Sequence, residues 1–396
     1  MGKNYTVYHL HTMLSNGVTN IDSITSFKDY IARAKECGMT ALCFSEHGSV
    51  FEWVHKKEAV EAAGMKYIHA IEAYLTESIA GEKIHDNYHC VLIAKNYDGV
   101  KELNRLVSRS FDRKDGHFYY TPRITLDELF ATSDNILVTT ACLGGVLNNG
   151  TPTATERMLN FLRTNKDRCY LEIQHHNCAD QIAYNQKLYK LSQELDIPLI
   201  AGTDTHALNE EHMDGRRILQ KSKDILFSNE SEWDLTFKSY EQLVAAYKEQ
   251  GSLPMDVILE AIENTNRMAD RIEEFKLDYA PKYPKLYDNS EEVFRKKINE
   301  GVIRRGINKL PDRKKYYDRI HDEFDTYKHN GAIDFMLLEE DYKSAMRDKG
   351  IRFGYSRGSV SGSIIAYLLG ITEIDSVKFN LNYERFMSKE RISLAD

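Results

Sequence analysis

Short apolar runs alternate with amphipathic stretches over roughly the first 205 residues of the chain. The runs are rich in β-branched, aromatic and leucine side chains, which is typical of buried strands, and the stretches between them show helical periodicity. Buried strands separated by helices indicate parallel βαβ units and therefore an α/β fold. With about seven such runs we favour a barrel over an open sheet. The predicted strands are 5–10, 41–44, 67–74, 89–94, 136–140, 170–173 and 198–202.

Beyond about residue 207 the strand pattern fades and helical periodicity dominates. The segment 279–284 contains Pro281 and Pro284, which interrupt any helix because proline lacks the amide donor and restricts the residue before it. We therefore predict a domain boundary near 275–285. The predicted helices are 23–37 and 52–63 in the first part, and 240–249, 255–272, 291–308, 313–330 and 335–349 in the second.

Composition indicates a globular chain. Its 396 residues are 42% hydrophobic and 28% charged, which suffices for a buried core and excludes a disordered chain. A net charge of -8 is unusual for a protein that only coats nucleic acid, because phosphate contacts require Lys and Arg. No apolar run reaches the roughly 18 residues of a membrane span, and the N-terminus lacks a signal peptide's apolar stretch. We expect a soluble cytoplasmic protein.

The six cysteines are scattered and form no Cys-x-x-Cys pair. This spacing argues against a zinc knuckle and against a disulfide framework in a chain of this length. Most of these cysteines are expected to be small buried side chains.

Histidines and carboxylates occur at the ends of the predicted strands. His9 and His11 lie two residues apart on the first strand, so both imidazoles face the same side. The loops at the C-terminal ends of parallel strands meet at one mouth, which brings residues distant in sequence together. His89 differs because it begins its strand. The candidate metal ligands are His9, His11, His47, Glu72, His89, Cys142, Asp204 and His206.

This set of side chains predicts a metal centre, although any single histidine in it has the alternative of an ordinary buried residue. Imidazole, carboxylate and thiolate together favour zinc, manganese or iron over magnesium. Closely spaced cations lower the pKa of a bound water and screen a phosphate's charge, so the centre suits phosphodiester hydrolysis. Glu46, His175 and His176 are candidates for orienting the ligands; for the two histidines a polar loop edge is an equal alternative.

A glycine- and serine-rich loop precedes an apolar helix near the end of the chain. Small residues that open a helix present backbone amides and hydroxyls to an anion, and Arg357 adds a bidentate phosphate contact. The loop lacks the Gly-Lys pair of a Walker sequence, and a tight turn is the alternative. The candidate nucleotide-binding residues are Gly354, Arg357, Gly358, Ser359, Gly362 and Ser363.

The ordered histidine and carboxylate motifs, from His9-Leu-His11 to Asp204-Thr-His206, resemble those of the polymerase-and-histidinol-phosphatase (PHP) family. The resemblance implies a distorted seven-stranded barrel with up to three metal ions. By position it implies one ion on His9, His11, Glu72 and Asp204. It implies a second ion bridged by Glu72 to His89 and Cys142, and a third served by His47 and His206.

The third metal site is where the sequence departs from the family pattern. The polymerase members of the family usually carry Asp before the glycine that follows the histidine pair, and this chain has Asn16 before Gly17. A neutral amide is a poorer ligand for a dication than a carboxylate. We therefore expect the third ion to be weakened, and hydrolysis with it.

The loop from Gly354 to Gly370, with the later segments 383–386 and 390–394, resembles the palm of the bacterial replicative polymerases of the C family, the polymerase III alpha subunits. With the metal motifs, the resemblance covers essentially the whole chain. It implies a PHP domain over 1–275, then a helical connection and the start of a polymerase-beta-like nucleotidyltransferase palm over 276–396. The metal motifs and the palm motifs occur in the order expected for this family, and together they support the resemblance more strongly than either set does alone.

The same resemblance implies that alternating aspartates, which bind magnesium for nucleotidyl transfer, follow Asp396. We therefore expect the N-terminal portion of a bacterial or phage-encoded DNA polymerase that is completed by a C-terminal chain. The implied partners are that chain, primer-template DNA, deoxynucleotides and, through the missing part, the replication clamp. A split gene, an intein and a truncation remain open as the origin.

Two alternatives use only the first domain. The chain is then either a free-standing metal-dependent phosphoesterase or 3′-5′ exonuclease, or a scaffold whose ions stabilise the fold without chemistry.

Overall fold

The computed structural model describes residues 3–19, 21–80, 86–225, 233–280 and 284–390. The chain divides into two compact units, Met1–Lys276 and Leu277–Asp396. The assignment of these units to a PHP domain and a partial palm stays a prediction at this point. Among the described residues, no helix has the length and apolar character needed to cross a membrane.

The first unit is a mixed sheet surrounded by helices. In the described residues its strands are β1 (Ala41–Phe44), β2 (Lys66–Thr76), β3 (Tyr88–Ala94), β4 (Phe118–Tyr119), β5 (Thr121–Thr125), β6 (Ile136–Thr139), β7 (Cys169–Gln174) and β8 (Leu199–Gly202). Its helices are α1 (Phe27–Glu36), α2 (Trp53–Ala62), α3 (Tyr97–Ser110), α4 (Leu126–Phe130), α5 (Val146–Asn149), α6 (Pro152–Thr164), α7 (Ala179–Leu195), α8 (Glu210–Ser222), α9 (Tyr240–Gln250) and α10 (Met255–Asp270).

The sheet order is β4-β5-β2-β3-β6-β7-β8, and β1 pairs with β2. The N-terminal segment predicted as a strand forms isolated bridges instead: Val7 pairs with Leu42 of β1, and Leu10 pairs with Thr205 just after β8. This extended segment therefore joins the two sides of the curved sheet. The α/β fold with a distorted barrel is confirmed.

Strand β3 contradicts the expectation of an all-parallel sheet. It runs antiparallel to both of its neighbours, β2 and β6. The pairs β1–β2, β2–β5, β6–β7 and β7–β8 are parallel. The described residues between β2 and β3 contain no helix, and a connection without a crossover helix joins antiparallel strands. The reversal places the start of β3 at the edge where β2 ends.

Both faces of the strands are buried. Alternate residues of β2 and β3, such as Ile68 and Val91, belong to one apolar cluster, and the intervening residues pack with the surrounding helices in a larger cluster. Period-two alternation places successive side chains on opposite faces, so strands covered on both faces read as continuous apolar runs.

Helix α1 begins later than its predicted start at residue 23. The Ser26 hydroxyl accepts from the Asp29 amide, and the Asp29 carboxylate accepts from the Ser26 amide, which forms a capping box. The preceding residues are therefore non-helical and remain at the edge of the sheet, close to the histidines.

The second unit is helical in its described residues. Its helices are α11 (Ser290–Arg304), α12 (Arg313–His329), α13 (Ile333–Asp348) and the short α14 (Ile364–Leu368). Phe294, Tyr327, Leu337 and Ile365 lie at the centre of its core. The segment 281–283, within the predicted boundary, and residues 391–396, with Asp396 and most of the last resemblance segment, lie outside the described residues.

Candidate metal centre

The eight predicted metal ligands lie together at one edge of the first unit. The extended N-terminal segment contributes His9 and His11, and the remaining ligands come from β2, the start of β3, and the residues that follow β1, β6 and β8. His89 has the most exposed side chain, at 22%, and the other seven are almost completely buried. The centre is thus a buried cluster whose exposed side is at His89.

One group of ligands surrounds the N-terminal histidines. The His9 Nε2 atom lies 3.2 Å from both Glu72 Oε1 and Asp204 Oδ1. The His11 Nε2 atom lies 3.4 Å from Glu72 Oε2 and from Asp204 Oδ1. These four side chains are the set that the family resemblance implies for one ion.

A second group meets on the other side of Glu72. His89 Nδ1 lies 2.9 Å from Glu72 Oε1 and 3.4 Å from the Cys142 sulfur. The distance from that sulfur to Glu72 Oε1 is 4.0 Å. His47 Nδ1 is 2.7 Å from Glu72 Oε2, so Glu72 lies between all the groups and is placed to bridge ions.

The third group contains a carboxylate that the sequence interpretation missed. Asp22 Oδ1 lies 3.2 Å from His206 Nε2 and 3.4 Å from His47 Nε2, and His11 completes the group. The group therefore contains a carboxylate although position 16 is Asn, and the expected weakening of the third ion stays a prediction. Asp22 follows Asn16 by six residues in a loop whose path no local pattern encodes.

The ligand atoms lack the hydrogen bonds that buried polar atoms normally make, and bound cations would supply the missing partners. Six buried atoms have no hydrogen-bond partner within the described part of the chain: His9 Nε2, His11 Nε2, His47 Nδ1, Glu72 Oε2, Asp204 Oδ1 and Asp22 Oδ2. The first five of them face one another at distances of 2.7–3.4 Å. Buried polar groups almost always have a partner, and an ion is one explanation of such orphans. Imidazoles and carboxylates are ligands of divalent transition metals.

The electrostatics of the cluster agree with this fit. Burial by itself raises the pKa of Glu72, but His89, His9 and His47 outweigh burial and hold the pKa well below the usual range. Burial, together with the nearby Asp204 and Glu72, raises the pKa of the Cys142 thiol well above its usual value. That thiol therefore requires a cation beside it to become a thiolate ligand.

Glu172 on β7 orients His9 and was not predicted. Its Oε1 atom lies 2.6 Å from His9 Nδ1, and it also accepts hydrogen bonds from Tyr8, Thr139 and Gln174. A carboxylate behind a ligating imidazole fixes the ring and leaves its other nitrogen for the metal. Glu172 is the only acidic residue of β7 and is flanked by Leu171 and Ile173, and this was the sequence signal for its role.

Gly202 makes room for Glu172. A β-carbon at this position would lie 2.3 Å from Glu172 Oε1, which is closer than van der Waals contact allows. The glycine at the end of β8 is therefore required by the carboxylate on the neighbouring strand.

Glu46 has the orienting place that the sequence suggested. Its buried carboxylate accepts from the Thr12 amide, from the Thr12 hydroxyl and from the Ser15 hydroxyl, and it pairs with buried Lys56 at 2.5 Å. The Ser15 hydroxyl in turn lies 3.3 Å from His11 Nδ1. Glu46 thus acts on His11 through Ser15.

His175 and His176 are buried, so the polar loop edge considered for them is not what the structure has. None of their four ring nitrogens has a hydrogen-bond partner among the described residues. The Trp233 ring stacks on His176 with centroids 5.4 Å apart. Burial lowers the pKa of His176 to about 4, which keeps the ring neutral at physiological pH.

Two residues near the centre have left-handed backbone conformations that side chains rarely adopt. Asp204 has φ of 45° and Ala141, which precedes Cys142, has φ of 55°. Such strain persists where the surrounding structure holds it, and it is frequent at functional sites.

The predicted nucleotide-binding loop divides into an exposed and a buried part. Gly354, Arg357, Gly358 and Ser359 are exposed, and Gly358 has φ of 72°. Gly362 and Ser363 are buried. The structure therefore does not place all six predicted residues on one accessible surface.

The buried part of the loop is already occupied by Glu323 of α12. Its carboxylate accepts hydrogen bonds from the amides of Ile364 and Ile365, at 3.0 and 3.1 Å, and from the Ser363 hydroxyl at 2.7 Å. Arg319 pairs with the same carboxylate at 2.8 Å. Glu323 thus accepts the hydrogen bonds of the donors at the start of α14. The sequence analysis had predicted that these donors bind a phosphate.

Comparisons with known proteins agree with both halves of the structure. The PHP domain family matches residues 8–176, and the bacterial DNA polymerase III alpha NTPase domain family matches residues 292–396. The DNA polymerase III subunit alpha of Borreliella burgdorferi is 33% identical over 411 residues, which cover 98% of this chain and 34% of that protein. The DNA polymerase III subunit alpha of Aquifex aeolicus is 31% identical over 428 residues, which cover 100% of this chain and 36% of that protein.

The chain is a relative of the bacterial DNA polymerase III alpha subunits. It spans about a third of the length of the curated polymerase III alpha subunits that it matches.

Solved structures resemble the chain only distantly. A two-domain protein from Bacteroides vulgatus, described as containing a predicted PHP-like metal-dependent phosphoesterase, aligns with a TM-score of 0.34 and 11% identity over 62% of this chain and 63% of that one. An amidohydrolase from Chromobacterium violaceum aligns with a TM-score of 0.36 and 12% identity over 52% of this chain and 89% of that one. At this level of similarity, nothing about the chemistry of this chain follows from these structures.

Proposed function

We propose that this chain is the N-terminal portion of a replicative DNA polymerase and that its first unit hydrolyses phosphodiesters at the 3′ end of single-stranded DNA. Similarity to polymerase III alpha subunits along the whole chain supports the polymerase role. The single observation that carries the hydrolytic role is the buried cluster in which Glu72 lies between three groups of imidazoles and carboxylates.

The residues of the cluster have separate tasks in this proposal. His9, His11, Glu72 and Asp204 hold one ion, while Glu72, His89 and Cys142 hold a second. Zinc, manganese and iron(II) fit these ligands better than magnesium does. The bound ions lower the pKa of a water and screen the phosphate's charge. Glu172 keeps His9 Nε2 turned toward the centre, and the more exposed side at His89 admits the substrate.

The hydrolytic role is tested with a 5′-labelled single-stranded oligonucleotide and the chain loaded with manganese or zinc. Shortening from the 3′ end that Asp204→Asn abolishes supports the role, and Asp180→Asn at an exposed position is the matched control. A metal-loaded chain that cleaves neither the oligonucleotide nor a chromogenic phosphodiester contradicts it.

The polymerase role requires a C-terminal chain that supplies the magnesium-binding aspartates. In this proposal the completed enzyme uses primer-template DNA and deoxynucleotides, and the clamp is contacted by the added part. Primer extension by the mixed chains, with magnesium and four deoxynucleotides, is the expected result. If the mixture fails while a fusion of the same two sequences extends the primer, completion by a separate chain is contradicted; if both fail, the polymerase role is contradicted.

Within the loop, we assign the triphosphate contact to Arg357 and the neighbouring exposed residues, because Glu323 occupies the donors at Ser363. In the completed polymerase, Arg357→Ala should raise the KM for deoxynucleotides about 10- to 100-fold, which corresponds to one hydrogen bond to a charged group. Ser363→Ala should lower the stability of the second unit and leave that KM nearly unchanged.

A structural role for the ions is the second candidate. The observation that favours it is the burial of seven of the eight predicted ligands, which resembles a closed structural site more than an open catalytic one. In that case chelation lowers the melting temperature of a chain that has no hydrolytic activity to lose.

A further inference from the structure

The loop between His11 and α1 uses Asn16 as a brace and not as a ligand. The Asn16 Oδ1 atom accepts from the Asp22 amide at 2.6 Å and from the Ser23 amide at 3.1 Å. Its Nδ2 group donates to the Ser23 carbonyl at 2.7 Å. These bonds commit the Asn16 amide to the backbone of the residues that follow it.

The braced segment places Asp22 against the histidines. The Asp22 side chain is 7% exposed, with Oδ1 near His47 and His206, while Oδ2 has no hydrogen-bond partner among the described residues. One ligand atom from each of His11, Asp22, His47 and His206 lies within 4.8 Å of the others. A buried carboxylate oxygen without a donor, beside three imidazoles, indicates a missing cation.

Helix α8 holds the same segment from its other side. Arg216 Nε donates to the Asp22 carbonyl at 2.5 Å, and Gln220 Nε2 donates to the Ile21 carbonyl at 3.0 Å. The Ser23 hydroxyl donates to the His206 carbonyl at 2.6 Å. Ile21 has φ of 47°, which is unfavourable for a β-branched residue and is tolerated because its own carbonyl and that of Asp22 are both hydrogen-bonded by α8.

We propose that Asp22 replaces the missing aspartate at position 16 as the carboxylate ligand of a third cation, which it shares with His11, His47 and His206. Asn16, Arg216 and Gln220 are positioning residues that hold Asp22 in place. Three imidazoles and one carboxylate suit zinc, manganese or iron(II). The inference rests on the proposed metal centre but not on its hydrolytic activity.

The test counts ions directly. The full chain and its variants are loaded with manganese or zinc, freed of excess metal, and analysed for metal per chain by mass spectrometry. Asp22→Asn keeps the size of the side chain and removes its charge, so the metal content should fall by one ion per chain. Asp180→Asn, which changes an exposed aspartate in the same way, should keep the full content.

Two further variants separate a lost ligand from a damaged fold. Arg216→Lys leaves all four ligands and should weaken binding of one ion about 10- to 100-fold, as expected for a group behind the ligands. Asn16→Asp introduces a carboxylate where the family pattern has one and should add no ion. Native tryptophan fluorescence of each variant shows that the first unit is folded.

The outcomes distinguish this inference from the proposed function. Full metal content in folded Asp22→Asn overturns the inference and leaves the hydrolytic role standing. Loss of one ion in a chain that cleaves no phosphodiester supports the inference and removes the hydrolytic role. A wild-type chain that retains no ion overturns both.

Discussion

The Glu323 carboxylate accepts a hydrogen bond from the Ser363 hydroxyl at 2.7 Å. This contact separates the buried part of the glycine- and serine-rich loop from its exposed part. Tyr327 lies 2.8 Å from the same hydroxyl, so Ser363 is held from two sides. The start of α14 is thus closed by the protein's own carboxylate, and the exposed residues near Arg357 are the part of the loop that meets solvent.

Replacement of Glu323 should loosen the start of α14. In Glu323→Gln the new amide group can no longer accept from both Ile364 and Ile365, and a buried donor left unpaired costs about 1–3 kcal/mol. We expect faster hydrogen exchange at these two amides, measured by NMR or mass spectrometry. Glu300→Gln on the exposed face of α11 is the control, and unchanged exchange in Glu323→Gln would contradict the prediction.

The second unit should lose stability as pH rises through the range where Glu323 ionises. Burial raises the pKa of Glu323 above its usual value, and its amide, hydroxyl and Arg319 partners only partly offset this. The unfolded chain therefore loses this proton at lower pH than the folded chain does. Between the two pKa values the free energy of unfolding falls with increasing pH.

This pH dependence is measured by chemical denaturation followed by exchange of second-unit amides. The part due to Glu323 is the difference between the wild type and Glu323→Gln. A difference that grows in the opposite direction, with wild type gaining stability relative to the variant as pH rises, would refute the assignment.

Glu172→Gln should weaken metal binding without removing a ligand. The amide cannot accept from His9 with the strength of a carboxylate, so the imidazole is less firmly oriented, and metal affinity should fall about 10- to 100-fold. Competition with a chromogenic chelator measures the affinity. Glu156→Gln, at an exposed position on α6, should bind metal as wild type does, and equal affinity in both variants would rule out the orienting role.

Removal of metal should destabilise the first unit. A cation that binds only the folded state stabilises it by about 2.7 kcal/mol when its free concentration is 100 times the Kd. The chain has two tryptophans, Trp53 and Trp233, both in the first unit, so their fluorescence reports its melting temperature. We expect a chelator to lower that temperature and re-added manganese or zinc to restore it. No shift on chelation would exclude a bound ion.

Much of the fold followed from local patterns. The runs at β1, β2 and β6 were predicted because strands buried on both faces read as continuous apolar stretches. The direction of β3 was not predicted, because the residues of a strand look the same in either direction. That reversal explains why His89 begins its strand and still reaches the centre.

The eight candidate ligands of the metal centre were predictable from the sequence. The two carboxylates that complete the cluster, Asp22 and Glu172, were not. His9, His11 and the other predicted ligands follow motifs whose spacing the chain displays. Asp22 and Glu172 have no such spacing: one lies in a loop held by α8, and the other is the single acid in a buried strand. Their roles depend on neighbours that are distant in sequence.

The sequence by itself determined that an α/β unit with a set of histidines and carboxylates is followed by helices and a glycine- and serine-rich loop, because periodicity and motif spacing are local properties. Only the tertiary structure decided that Asp22 faces His47 and His206 while Asn16 braces the backbone. It also decided that Glu323 fills the start of α14. The physical reason is the same in both cases: a buried carboxylate acts on whatever donors or cations the folded chain brings within about 3 Å of it, and those partners come from other elements.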